Sequence, residues 1–168
     1  SRGHVRAHAF PLKVWRQNHI WPAEAWWVDP ELVADATRLA IAEMLRGGTT
    51  CFNDMYFFPD ATIETCLEVG MRASIGITII EMESAWATDV DSYVEKVLQV
   101  HENWKSEPLI SFTLSHHAPY TLSYDTLHRV ATVSMALGIP VHMTSLATEC
   151  EEHQSSRQQQ SQACMHLQ

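Results

Sequence analysis

The stretch Leu39-Ala-Ile-Ala-Glu-Met-Leu-Arg-Gly-Gly-Thr-Thr-Cys-Phe-Asn-Asp-Met-Tyr-Phe-Phe-Pro59 decides the fold. It contains the end of one helix, a stop, a strand and the start of another helix. Upstream, Asp29-Pro30-Glu31 supplies an N-cap, a proline for the first helical turn and an early acid. Val33, Ala36, Ala40, Ile41, Met44 and Leu45 follow at helical spacing, and Gly47-Gly48 ends the run. Thr49 to Met55 is short and β-rich. Pro59-Asp60 then opens a second helix through Ile63, Cys66 and Leu67, closed by Gly70.

The same alternation continues outward from that block. Arg72 to Ile80 reads as a strand, with Ile75, Ile77 and Ile79 alternating. A third helix is expected to start near Thr88, whose spacing to Asp91 resembles a capping box. Its face is Val90, Tyr93, Val94, Val97, Leu98, His101 and Trp104. Leu109 to Ser115 is a further strand, Ser123 caps a fourth helix ended by Gly138, and Ile139 to Met143 is the last strand. Residues 1–28 read as aromatic and irregular. Strands separated by helices of this length imply a parallel sheet with right-handed crossovers. An open doubly wound sheet and part of a (β/α)8 barrel both fit. A complete barrel needs about 250 residues, so four strands would make roughly half of one. No G-x-G-x-x-G or G-x-x-x-x-G-K-[ST] follows any strand, which removes the usual phosphate-binding signatures.

Composition narrows the function classes. The 168 residues hold 20 acidic and 11 basic side chains, a net charge of −9, which argues against a nucleic-acid partner. With 46% hydrophobic and 18% charged residues the chain has the balance of one globular domain. No apolar run is long enough to span a bilayer, and no basic–apolar leader stands at the start, so the expected address is cytoplasmic. Cys51, Cys66, Cys150 and Cys164 form no C-x-x-C pair, and the first two read as buried inert thiols. After Ala147 the composition shifts. Six of the last twenty residues are Gln, so 1–148 is expected to be the domain and 149–168 a solvated helix or disordered tail.

In parallel α/β folds, ligands meet the C-terminal ends of strands. The candidates are therefore Asn53-Asp54-Met55-Tyr56, Glu81-Met82-Glu83, Ser115-His116-His117 and His142-Met143-Thr144. His116 and His117 must face opposite ways, so at most one enters a site. The other reading of that pair is a loop histidine with a local hydrogen bond. Asp54 reads as a ligand, a general base or a cap of the following loop. His4 and His8 have an i, i+4 spacing that can chelate zinc on a helix, but no third ligand accompanies them. Glu24, in Ile20-Trp21-Pro22-Ala23-Glu24, reads by itself as a surface acid beside a packed turn. The tryptophans Trp15, Trp21, Trp26 and Trp27 read as packing residues.

Three segments together carry a family resemblance: His19-Ile-Trp-Pro-Ala-Glu24, the block Leu39 to Pro59, and His117-Ala-Pro-Tyr-Thr121. They resemble the amidohydrolase superfamily, most closely its 5-methylthioadenosine/S-adenosylhomocysteine deaminase branch, grouped with the triazine hydrolases. The resemblance runs from about Pro11 to Met143. It implies an α/β fold, a partial (β/α)8 barrel of the TIM type comprising parallel strands two to five of eight. It also implies a divalent metal, usually zinc, that activates water for attack on the ring carbon bearing the amine. The resemblance puts Glu24 at the glutamate that binds the ribose hydroxyls. It puts His117 at the substrate-contacting histidine after the fourth barrel strand.

The resemblance assigns no metal-ligating or catalytic residue to this chain. The family's first-strand H-x-H precedes the segment resembled by Arg2-Gly3, and His4 and His8 do not stand in for it. The register after the fifth strand sets Thr144 at the metal-histidine position and Ala147 at the catalytic-glutamate position. Threonine does not replace imidazole at zinc, and alanine carries no proton. The chain is thus expected to be an internal piece of a deaminase. By itself it would be inactive, without stoichiometric zinc, and prone to self-association through open sheet edges. Ile75, Ile77 or Ile79, depending on register, are expected to face the barrel interior and to lack an opposite wall. Non-catalytic alternatives are a nucleoside-binding module using Glu24 and His117, or an interaction module whose sheet edges pair with a partner. Within the family, a triazine-type hydrolase is the alternative.

Overall fold

The computed structural model describes residues 19–116 and 122–143. His117, the residues from Thr144 onward with Ala147 and the Gln-rich segment, and His4 and His8 therefore lie outside the described residues. The elements are α1 (Trp21–Trp27), α2 (Pro30–Arg46), β1 (Cys51–Asp54), α3 (Pro59–Val69), β2 (Arg72–Ile79), α4 (Val90–Trp104), β3 (Ile110–His116), α5 (Tyr124–Leu137) and β4 (Val141–Met143). The four strands form one sheet in the order β1-β2-β3-β4, every neighbouring pair parallel.

Most helix boundaries follow the local chemistry that predicts them. Asp29 caps α2 by accepting from the Leu32 N–H at 2.8 Å. Ser123 caps α5 through the Thr126 N–H. Gly70 and Gly138 close α3 and α5 with φ of 78° and 67°, the left-handed conformation glycine adopts without steric cost.

Two boundaries differ from expectation. The cap of α4 is Asp89, with Ser92 completing the box, one residue beyond Thr88. The Asp89 carboxylate accepts the Ser92 N–H at 2.8 Å, a geometry open to a carboxylate and a short hydroxyl at three-residue spacing. The second difference is α1, a helix of seven residues inside the segment read as irregular. It buries none of its residues, so no apolar stripe announces it.

Period-two alternation sorts the sheet into two unlike faces. Ala73, Ile75, Ile77 and Ile79 share one face of β2. By register they lie beside Asp54 of β1 and Ile110, Phe112 and Leu114 of β3. This is the helix side: Phe112 meets the His101 ring of α4 edge-on at 5.4 Å, and Asp54 reaches Thr62 of α3. The three isoleucines have at most 1% exposure and join one core with Ile63, Cys66, Tyr93, Val97 and Val130. The expectation that they face the barrel interior is therefore corrected. The helices cover them, and they need no opposite wall.

The other face carries Asn53, Ser74, Gly76, Thr78, Thr113, Ser115 and His142. It is small and polar, and it is concave. Asn53 on β1 and His142 on β4 stand at opposite ends of the sheet order, yet the Asn53 amide Nδ2 donates to His142 Nδ1 at 2.9 Å. Gly76 is required on this face. A Cβ there would lie 2.2 Å from Ser115 Oγ and 2.8 Å from the Asp54 carbonyl oxygen, the second being backbone that cannot rotate away. Replacement Gly76→Ala is expected to destabilise the fold by about 1–3 kcal/mol through overpacking. It should appear as a lower urea midpoint at unchanged slope. An unchanged midpoint would show that β1, β2 and β3 do not close so tightly.

Candidate functional site

The C-terminal ends of the strands gather most of the polar groups singled out in the sequence, but they use them differently. Asp54, the last residue of β1, turns toward the helices and away from the concave face. It accepts from the Thr62 hydroxyl at 3.5 Å, and the Met55 backbone N–H also bonds it. Burial raises its pKa above the ordinary carboxylate value, and those two bonds pull it partly back. Burial, with the Asp54 charge added, pushes the Cys66 thiol up to about 11, so that thiol is inert, whereas Cys51 is exposed and the expectation that it is buried is corrected. Asp54 thus belongs to the β1–α3 junction, closest to the loop-capping reading.

Glu81, two residues beyond β2, is committed as well. It accepts from the Ser123 N–H at 2.9 Å, from the Ser123 hydroxyl at 2.5 Å and from the Thr126 hydroxyl. These bonds hold its carboxyl below the usual value and join the end of β2 to the start of α5. The loop between β2 and α4 is fixed by Ser84, which accepts from the Trp86 and Ala87 N–H groups and receives the Tyr93 hydroxyl at 2.7 Å.

Glu24 stands apart from these structural carboxylates. The Tyr56 hydroxyl, just past β1, donates to Glu24 Oε1 at 2.9 Å and brings α1 to the C-terminal rim of the sheet. Tyr56 is half-buried, and its ring lies 5.4 Å from that of Phe57. Desolvation first, then the bond to Glu24 and the negative charges of Glu24 and Asp54, hold the phenol well above its ordinary pKa. At working pH it is therefore a fixed donor. Sequence reasoning placed Tyr56 in a strand-end run but gave it no role, because its partner lies 32 residues upstream. The Asn53–His142 bond was hidden for a similar reason, since it joins strands that are not neighbours.

Zinc chemistry has no complete seat among these residues. Among the described residues no group of three or more His, Cys, Asp and Glu side chains comes together as a metal site. Asp54 and Glu81 are already engaged, and Asn53 occupies His142 Nδ1. The described donors do not fit a zinc ion. Among them, too, no helix is long and apolar enough to cross a membrane.

A curved parallel sheet with helices on its outer face and a polar rim at the strand ends defines part of a (β/α)8 barrel. The four strands are strands two to five of that barrel. The chain belongs to the amidohydrolase family, whose model matches residues 2–166 and so extends through the Gln-rich segment. It is 44% identical over 148 residues to the 5-methylthioadenosine/S-adenosylhomocysteine deaminase of Saccharophagus degradans, covering 87% of this chain and 33% of that protein. An adenosine deaminase from Xanthomonas campestris, solved with bound zinc, superposes with a TM-score of 0.83 at 45% identity. That match covers 89% of this chain and 34% of the other. The zinc complex of atrazine chlorohydrolase from Arthrobacter aurescens gives a TM-score of 0.70 at 17% identity, over 82% of this chain and 36% of that one, a likeness of fold alone. The chain spans about a third of the length of the curated relatives it matches.

The burial of Asp54 has a measurable sign. Its folded pKa lies above the unfolded one, so the folded state favours the protonated form. That contribution is complete below the unfolded pKa and is lost as pH rises through the folded pKa. The Asp54→Asn variant has no such titration. Its stability relative to the unsubstituted chain is expected to improve from acid to neutral pH, measured by paired urea unfolding. A difference that shifts the other way would mean that the carboxylate is better stabilised inside than in water.

Proposed function

We propose that this chain contributes the nucleoside-binding side of a metal-dependent amidohydrolase that deaminates adenosine-type substrates such as 5-methylthioadenosine and S-adenosylhomocysteine. In this reading Glu24 and His117 bind the ligand, Glu24 through the ribose hydroxyls. The observation that carries it is the Glu24 carboxylate, held by Tyr56 at the strand-end rim, in a chain 44% identical to a deaminase of that specificity. A half-exposed carboxylate with one oxygen fixed is a suitable acceptor for a neutral polyol.

We also propose that the chain alone does not turn the substrate over. Thr144 and Ala147 stand where the family resemblance calls for a metal histidine and a proton-shuttling glutamate. Without a metal-activated water, the remaining contacts have no nucleophile to assist. The test is calorimetric titration of the purified chain with 5-methylthioadenosine, paired with zinc analysis and an ammonia assay. Expected are saturable binding that Glu24→Gln weakens, no stoichiometric zinc and no ammonia. Ammonia release with stoichiometric zinc would overturn the inactive reading, and failure to bind would overturn the nucleoside reading.

The described sheet ends at β1 and β4, and Val141 and Met143 of β4 are 45% and 40% exposed. Exposed parallel edges recruit further strands, which supports self-association as the expected state of this chain. Sedimentation should show species larger than a monomer at micromolar concentration. A compact monomer would refute the association.

A further inference from the structure

We propose that Tyr56 is a positioning residue for Glu24: it holds Oε1 so that Oε2 is presented to a hydroxyl of a vicinal diol on the ligand. The proposal rests on the nucleoside reading and extends it to a residue with no role in the sequence analysis.

Three observations support it. The phenol donates to Glu24 Oε1 at 2.9 Å, within hydrogen-bond range. α1 buries none of its seven residues, and among the described residues the Glu24 carboxylate is bonded by the Tyr56 hydroxyl. The donor is anchored close to the sheet, since Tyr56 lies two residues past the end of β1 and its ring contacts that of Phe57. A glutamate on a solvated helix would otherwise sample several rotamers, and ligand binding would bear the cost of selecting one. With Oε1 occupied, Oε2 retains its acceptor capacity.

The experiment uses the full chain and two probes, 5-methylthioadenosine and its 2′,3′-dideoxy analogue. Tyr56→Phe keeps the ring and removes only the donor. It is expected to weaken binding of the ribose form about tenfold, the scale of one hydrogen bond to a charged group, with little effect on the dideoxy form. An independent readout is the alkaline absorbance titration of the tyrosines, compared between the unsubstituted chain and Glu24→Gln. If Tyr56 is bonded to Glu24, its late-ionising step moves to lower pH in Glu24→Gln. Equal loss of both ligands in Tyr56→Phe would reduce Tyr56 to a structural role and overturn the proposal. So would an unaltered tyrosine titration. If the unsubstituted chain binds neither probe while the titration still moves, the nucleoside reading fails. The bond is then only a clasp between α1 and β1, which overturns the positioning role as well.

Discussion

The sorting of the sheet into an apolar and a polar face governs everything else in this chain. Side chains alternate along a strand, so committing Ile75, Ile77 and Ile79 to the helices commits Ser74, Gly76 and Thr78 to the opposite side. The isoleucines gain burial worth about 1.5–3 kcal/mol each. That scale exceeds the differences among alternative arrangements of the short polar residues opposite. Register then carries the choice across the sheet, so that Asn53, Ser115 and His142 all take the concave face. Gly76 completes it by leaving room for Ser115 to lie over β2. The concave face is thus lined by short polar side chains and a glycine.

Chain connectivity follows from the same constraint. Each helix that joins two strands returns over the apolar face, and each strand end delivers its following residues to one rim. The carboxylates on that rim are divided between holding the frame and remaining available. Asp54 secures the β1–α3 junction, and Glu81 secures the start of α5. Glu24 arrives from outside the sheet, on a helix with no buried residue, and accepts from the Tyr56 phenol. Glu24 is thus tied to the rim through the Tyr56 phenol, not through core packing.

Much of this was legible in the sequence, and the exceptions have physical reasons. Gly47-Gly48, Gly70 and Gly138, with Pro30 and Pro59, punctuate the chain so strongly that the α/β alternation can be read directly. The direction of the isoleucine stripe was not legible. Strands of a parallel sheet are covered on both faces in a complete barrel, so alternation alone does not say which face meets the helices. The cap of α4 fell on Asp89 because Thr88, Asp89 and Ser92 can all bond one another, and geometry chose the carboxylate. α1 escaped because its tryptophans form no buried stripe: Trp26 and Trp27, read as packing residues, are instead 87% and 75% exposed, while Trp21 is half-buried. Glu24 was found through family resemblance, and Tyr56 only through the contact itself. His117, the other residue so named, lies outside the described residues.

The most direct test of the face assignment is a proton–proton NOE experiment on the labelled chain, between the Asn53 side-chain amide and the His142 ring. The concave polar face predicts a strong cross-peak between them, with Ile75, Ile77 and Ile79 methyls correlating to Tyr93 and Val97. Loss of the Asn53–His142 peak, with isoleucine methyls contacting the His142 ring instead, would reverse the two faces and contradict the account of the site built on them.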